Sequence, residues 1–175
     1  MRDAFGELAA LAWNQVVKEP VVREANSLSH TPALVADLSV RGVWIPQVEA
    51  LFDIRVVDTD TQSYRNSSPM DILSGAKKDK KNKFHEACTE RRALFTPLCT
   101  SVDGMLGKEA AVFVKRIAER LSSKWGHNYS QVLGWIRTRL SFSILRATIL
   151  CLRGSRTKWR SIDIVDSSPI TLIMS

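Results

Sequence analysis

The chain has 175 residues, 45% of them hydrophobic and 25% charged, which is ordinary for a soluble globular protein of one domain with a real core. The formal charge of +7 is less ordinary and makes a polyanion, either nucleic acid or an acidic membrane surface, the expected class of partner. Cys88, Cys99 and Cys151 are odd in number, far apart and without metal-ligand spacing, which argues against a disulfide framework and a structural zinc site and for a reducing compartment. The apolar stretch from Ile144 to Leu152 is interrupted by Arg146 and is too short to span a bilayer, and the N-terminus lacks the pattern of a signal peptide. The expectation is a soluble intracellular protein.

Phe5, Leu8, Ala12 and Val16 recur at helical spacing and predict a first helix over residues 3–17, ended by Lys18-Glu-Pro20. Val21-Val22-Arg23 reads as a short strand, and residues 26–32 as a loop. Two apolar strands follow, residues 33–44 and 50–57, joined by a turn bearing Gly42 and Pro46. A polar loop then leads to Pro69, which suits the first turn of a helix over residues 70–93. Residues 94–102 read as a strand in which Pro97 implies an edge position or a bulge. Helices over 108–125 and about 130–152 follow, the first broken at Gly126-His-Asn128 and the second at Arg153-Gly154. The class is α/β or α+β: a central sheet with helices on its faces. Residues 1–160 form the domain, and 161–175 an irregular tail.

Each of the two central strands carries an aspartate, Asp37 and Asp53. A carboxylate in an apolar strand is costly unless paired; solvation or a hydrogen bond is the common answer, and a metal ion is another. From Lys115 to Arg160 there are eleven Lys and Arg against one acid, Glu119. Within that segment Arg139, Arg146 and Arg153 recur every seven residues with Arg156 close behind, and Arg137 lies beside them. Such a stripe is either a solvated helix surface or a phosphate contact, for which Arg supplies planar bidentate donors. Lys77, Lys78, Lys80, Lys81 and Lys83 crowd the helix after the two aspartates; such runs commonly face solvent, but a lysine near a metal and a phosphate can stabilise developing charge. The three histidines are scattered and read as surface residues, and the five tryptophans as packing residues. No GxSxG, GxGxxG or GxxxxGK[ST] occurs.

Ala36-Asp-Leu38 and Phe52-Asp-Ile-Arg-Val56, with fifteen residues between the aspartates, resemble the acidic pair of PD-(D/E)XK restriction-like nucleases. More closely, the chain from Met1 to about Arg160 is similar to the C-terminal endonuclease-like region of non-LTR retrotransposon, reverse-transcriptase-associated polyproteins. The stretches that carry this include Ala50-Leu-Phe-Asp-Ile-Arg-Val-Val57, Lys80-Lys-Asn-Lys-Phe84, Phe95-Thr-Pro-Leu98, Leu133-Gly-Trp-Ile-Arg137 and Leu152-Arg-Gly-Ser-Arg156.

The resemblance implies an αβββαβ restriction-endonuclease-like core, a mixed central sheet and two further C-terminal helices. It implies Mg²⁺ or Mn²⁺ held by Asp37 and Asp53, with Glu7 as an accessory ligand, and hydrolysis of a DNA phosphodiester in the nucleus. The motif's lysine, two residues after the second acid, is Arg55 here, which stabilises charge but is too basic to exchange a proton near neutrality. Lys80 or Lys83 from the next helix is then the candidate for that role. Lys77, Lys81, Arg137, Arg139, Arg146, Arg153 and Arg156 are the expected contacts to DNA, or to RNA. The competing expectations are a non-catalytic nucleic-acid-binding remnant of the same fold and a protein-interaction domain.

Overall fold

The computed structural model describes residues 1–25 and 32–155, with side chains as far as residue 149. Helix α1 spans Arg2–Ala12, shorter than the sequence pattern implied. Its face Phe5, Leu8, Ala9 and Ala12 is buried, and Trp13 turns to an extended conformation whose N–H caps the Ala9 carbonyl. Val16 and Val17, placed in the helix by periodicity, instead form strand β1 (Val16–Lys18). β-branched side chains favour that outcome once a partner strand is available.

Strand β2 (Val21–Arg23) pairs with a two-residue strand β3 (Leu34–Val35) in a small separate sheet. The predicted strand over 33–44 is thus broken. A bend at Ala36-Asp37 separates β3 from β4 (Leu38–Arg41), and residues 42–48 are turn. Strand β5 (Glu49–Val57) follows. After a loop containing one 3₁₀ turn comes α2 (Pro69–Glu90), whose first turn is capped by Ser68 Oγ accepting from the Asp71 N–H. Strand β6 (Leu94–Ser101), helix α3 (Lys108–Trp125) and helix α4 (Tyr129–Ser155) complete the order. Helix α3 ends on Gly126 at φ 67°, a left-handed position that glycine adopts without strain. Helix α4 continues through Gly154, past its expected stop.

The main sheet has the order β1-β4-β5-β6. The first three strands are antiparallel, whereas β6 runs parallel to β5 after the α2 crossover. Pro97 therefore sits on an edge strand, where a missing N–H is tolerated. The class is mixed α/β, and without the small sheet its order reads α1-β1-β4-β5-α2-β6.

Side chains alternate across β5. Ala50 and Phe52 enter the larger core, with Phe5 and Leu8 of α1, Phe113 and Ile117 of α3, and Ile136 of α4. Leu51 and Val57 face the other way, under α2. Phe113 is the hub of the larger core: its ring centroid lies 4.4 Å from Phe52, 6.1 Å from Phe5 and 6.2 Å from both Trp13 and Trp44. Phe113→Ala should lower the unfolding free energy by about 3–5 kcal/mol, read as a fall in the urea midpoint with an unchanged m-value. A loss below about 1 kcal/mol would show that the rings do not interlock as described.

A second clamp ties the small sheet to β5 and α2. Arg91 Nε and Nη2 donate to Glu49 at 2.8 and 3.0 Å, Ser39 Oγ donates to Glu49 at 2.6 Å, and Arg91 Nη1 donates to the Val21 carbonyl. Burial acts to raise the Glu49 pKa, but the hydrogen bonds from Arg91 and Ser39 more than offset it and hold it below the ordinary value. Its stabilisation is therefore present above the ordinary glutamate range and lost as pH falls through the lowered folded value. Glu49→Gln should cost about 1.5–3 kcal/mol at pH 7, and the gap from wild type should narrow in melts below that window.

Candidate active site

The two apolar clusters beneath α2 do not meet. One joins Leu51 to Phe84, Ala87 and Cys88; the other joins Val57 and Cys99 to Ile72, Leu73 and Ala76. Asp53 lies between Leu51 and Val57 on β5, and Lys80 lies one turn from both Ala76 and Phe84 on α2. Strand alternation and helical spacing thus bring an acid and a base into the gap from opposite sides. Lys80 Nζ is 2.6 Å from Asp53 Oδ2, with side-chain exposures of 23% and 10%.

Asp37 completes the group. The bend before β4 lets its N–H donate to the Phe52 carbonyl at 3.0 Å, while its Oδ2 accepts the Ile54 N–H at 2.6 Å. It is therefore bonded to the residues on either side of Asp53. Burial holds the Asp53 pKa above the ordinary aspartate value; Lys80 pulls it down, and the negative charge of Asp37 pushes it up. Asp53 Oδ2 accepts no aligned hydrogen bond, so its contact with Lys80 is a close ion pair rather than a directed bond.

The other expected site residues divide. Lys83 is exposed, its Nζ 5.7 Å from the Phe84 ring centroid, and its charge also acts to lower the Asp53 pKa. Arg55 shares the α2 face of β5 but is paired with Asp79 at 3.5 Å. Lys77 is half-buried and 2.9 Å from Glu109 at the start of α3. Glu7 does not join the aspartates: it pairs with Arg139 at 2.7 Å in the layer on the opposite side of the sheet. Among the described residues, no group of three or more His, Cys, Asp and Glu forms a metal cage.

Lys81, Arg137 and Arg146 are exposed, and none of them has a carboxylate partner within 4.0 Å among the described residues. Arg139 stacks over Trp135 at 5.3 Å as well as binding Glu7. The Arg153 side chain and all of Arg156 lie outside the described residues.

Asp79 and Glu109 were not singled out from sequence. Asp79 stands inside the lysine run and was visible there as the one acid; Glu109 has no local signal. Cys88 and Cys99 are buried free thiols, and burial pushes Cys88 up to about 11, so neither is a ready thiolate ligand. Among the described residues, no helix is long and apolar enough to cross a membrane. No protein-family model matches the chain, and no curated protein matches it.

Proposed function

We propose that this chain is a metal-dependent DNA endonuclease of the restriction-like type, derived from a retrotransposon and acting in the nucleus. The observation that carries the reading is the Lys80 ammonium 2.6 Å from the Asp53 carboxylate, with Asp37 bonded to both neighbours of Asp53. The donor set fits a hard dication: two carboxylates, one with an oxygen lacking an aligned hydrogen bond, suit Mg²⁺ or Mn²⁺ rather than a thiolate-seeking metal. Asp37 and Asp53 would hold the ion, which supplies a water of lowered pKa and offsets charge on the phosphate.

The chain's own residues carry the rest. Asp37 is held by two bonds, its N–H to the Phe52 carbonyl and its Oδ2 from the Ile54 N–H, which leaves Oδ1 as the oxygen free to bind. Lys80 has a flexible stem and three donors, and on leaving Asp53 it can meet a non-bridging phosphate oxygen or orient water. Arg55, held by Asp79, contributes fixed positive charge on the same face. Lys81 remains available to phosphates on the Asp53 side of the sheet, and Arg137 and Arg146 in the α4 layer.

Supercoiled plasmid incubated with Mg²⁺ or Mn²⁺ should convert to open circle, and EDTA should stop it. A protein inert with both metals on varied DNA would sink the reading. A non-catalytic nucleic-acid-binding module is the second reading, favoured by exposed Arg137 and Arg146 of α4, which have no carboxylate partner among the described residues, and by the presence there of only two acids at the site. It requires binding that weakens with salt and ignores metal.

A further inference from the structure

We propose that a cleft at the β4–β5 turn is a phosphate-binding site independent of the metal chemistry. The cleft has a volume of about 450 Å³, within the range of small-ligand sites, and lies between the α1–β1 connection, the β4–β5 turn and α3. Three arginines line it: Arg41 at the end of β4, and Arg116 and Arg120 one turn apart on α3. Asn14, Gln15 and Gln47 also line it, and its lining residues include no Asp or Glu.

The three arginines are not equivalent. Arg116 is a strut, its Nε donating to the Val43 carbonyl at 3.2 Å and its Nη1 to Glu119 at 3.2 Å. Arg41 and Arg120 are exposed, and among the described residues no carboxylate lies within 4.0 Å of either. Arg41 stands opposite Glu49 in the β4–β5 pairing, and that carboxylate is already clamped by Arg91 and Ser39. The turn is also held in an unusual shape, with Gln47 at φ 65°, a left-handed conformation that a non-glycine residue keeps only when its surroundings impose it.

Planar forks with neutral amides between them match the tetrahedral oxygens of a phosphate, which accepts several donors and offers none when fully ionised. A cation would be repelled, and a neutral apolar ligand would find too little apolar wall. Asp37, Asp53 and Lys80 are not among the residues that line the cleft, and Arg116 and Arg120 stand on α3, in the layer away from Lys80. The site therefore does not overlap the proposed metal site. The phosphate can come from a free nucleotide or pyrophosphate, or from the backbone or end of a polynucleotide.

Calorimetric titration of the full chain in EDTA, with inorganic pyrophosphate and with a ten-nucleotide single strand with and without a 5′-phosphate, tests this apart from any cleavage. The variant is Arg41→Gln with Arg120→Gln; the control, Lys78→Gln with Lys115→Gln, removes two exposed charges elsewhere. The cleft variant should bind at least about tenfold more weakly, and the control should change by about twofold or less. Loss confined to pyrophosphate supports the site with a free phosphate as its ligand; loss extending to the oligonucleotide supports a polynucleotide, and dependence on the 5′-phosphate identifies its end. Equal weakening in both variants, or no pyrophosphate binding by wild type, overturns the proposal. Circular dichroism melts matching wild type establish that both proteins are folded.

Discussion

Asp53→Asn should abolish metal-dependent plasmid nicking while leaving the protein at least as stable as wild type at neutral pH. The two effects come from one feature. Burial makes the Asp53 carboxylate harder to ionise than in water, and the charge of Asp37 adds to that burden, so the folded state holds the proton more tightly than the unfolded one. Stability therefore falls as pH rises from the ordinary aspartate range through the raised folded value, and the full penalty is present at neutrality. An amide keeps the size of the side chain and an oxygen facing Lys80, and it removes the penalty. The expected gain is about 1 kcal/mol or less, with the gap from wild type closing in melts toward pH 4. Activity should drop by at least about 10²–10³, because the group meant to bind the ion and meet developing charge is neutral. Added Mg²⁺ should raise the wild-type Tm, by an amount equal to about 2.7 kcal/mol at a hundredfold excess over Kd, and should not raise that of the variant. A variant that still nicks DNA would remove Asp53 from the chemistry. A variant that loses several kcal/mol would mark the carboxylate as structural.

The legible parts of this chain were those with local causes. The interval Lys108–Trp125 was readable because a strong apolar face ends at a glycine whose left-handed geometry stops a helix. Asp53 was conspicuous because a charged residue interrupts Leu51-Phe52 and Ile54. The mixed α/β class was legible too, but the expected first strand, Val21–Arg23, lies in the small sheet and β1 takes its place in the main one. The errors have long-range causes. Val16 continues the periodicity of α1, yet it pairs with Val40, a residue twenty-four positions away, and pairing overrides the pattern. Asp37 was placed within a strand, whereas the chain bends there because its carboxylate takes the Ile54 N–H. The resemblance suggests Glu7 as an accessory to the aspartates, but α1 packs on the Phe52 side of β5 and Asp53 points to the other side. Likewise Lys77 belonged to a run of lysines that sequence cannot tell apart. Folding sorts them: Lys77 to Glu109, Lys80 to Asp53, and Lys81 to solvent.

That sorting makes Lys80→Met the second informative substitution. Methionine retains most of the apolar stem of Lys80 and deletes only the ammonium. Asp53 would then be a nearly buried carboxylate without its cation, a change that typically costs about 3–5 kcal/mol when a buried pair is broken from one side. The exposure of Lys80, 23%, puts the expectation at the lower end, about 3 kcal/mol at pH 7. The loss should disappear as Asp53 protonates at lower pH. It should also be recovered in Lys80→Met with Asp53→Asn, a double variant with no unpaired charge, as a mutant cycle would read out. Mg²⁺ should raise the Tm of Lys80→Met more than that of wild type, since the ion no longer competes with an ammonium for the same oxygen. Activity should nonetheless stay about 10²–10³ below wild type in saturating metal, because the donor that meets the phosphate or orients water is gone. Lys80→Arg separates charge from proton exchange: it should restore stability, and activity should return only if a fixed positive charge is what the reaction requires. Full activity in Lys80→Met would reduce the lysine to a counter-ion that keeps an empty acid site folded.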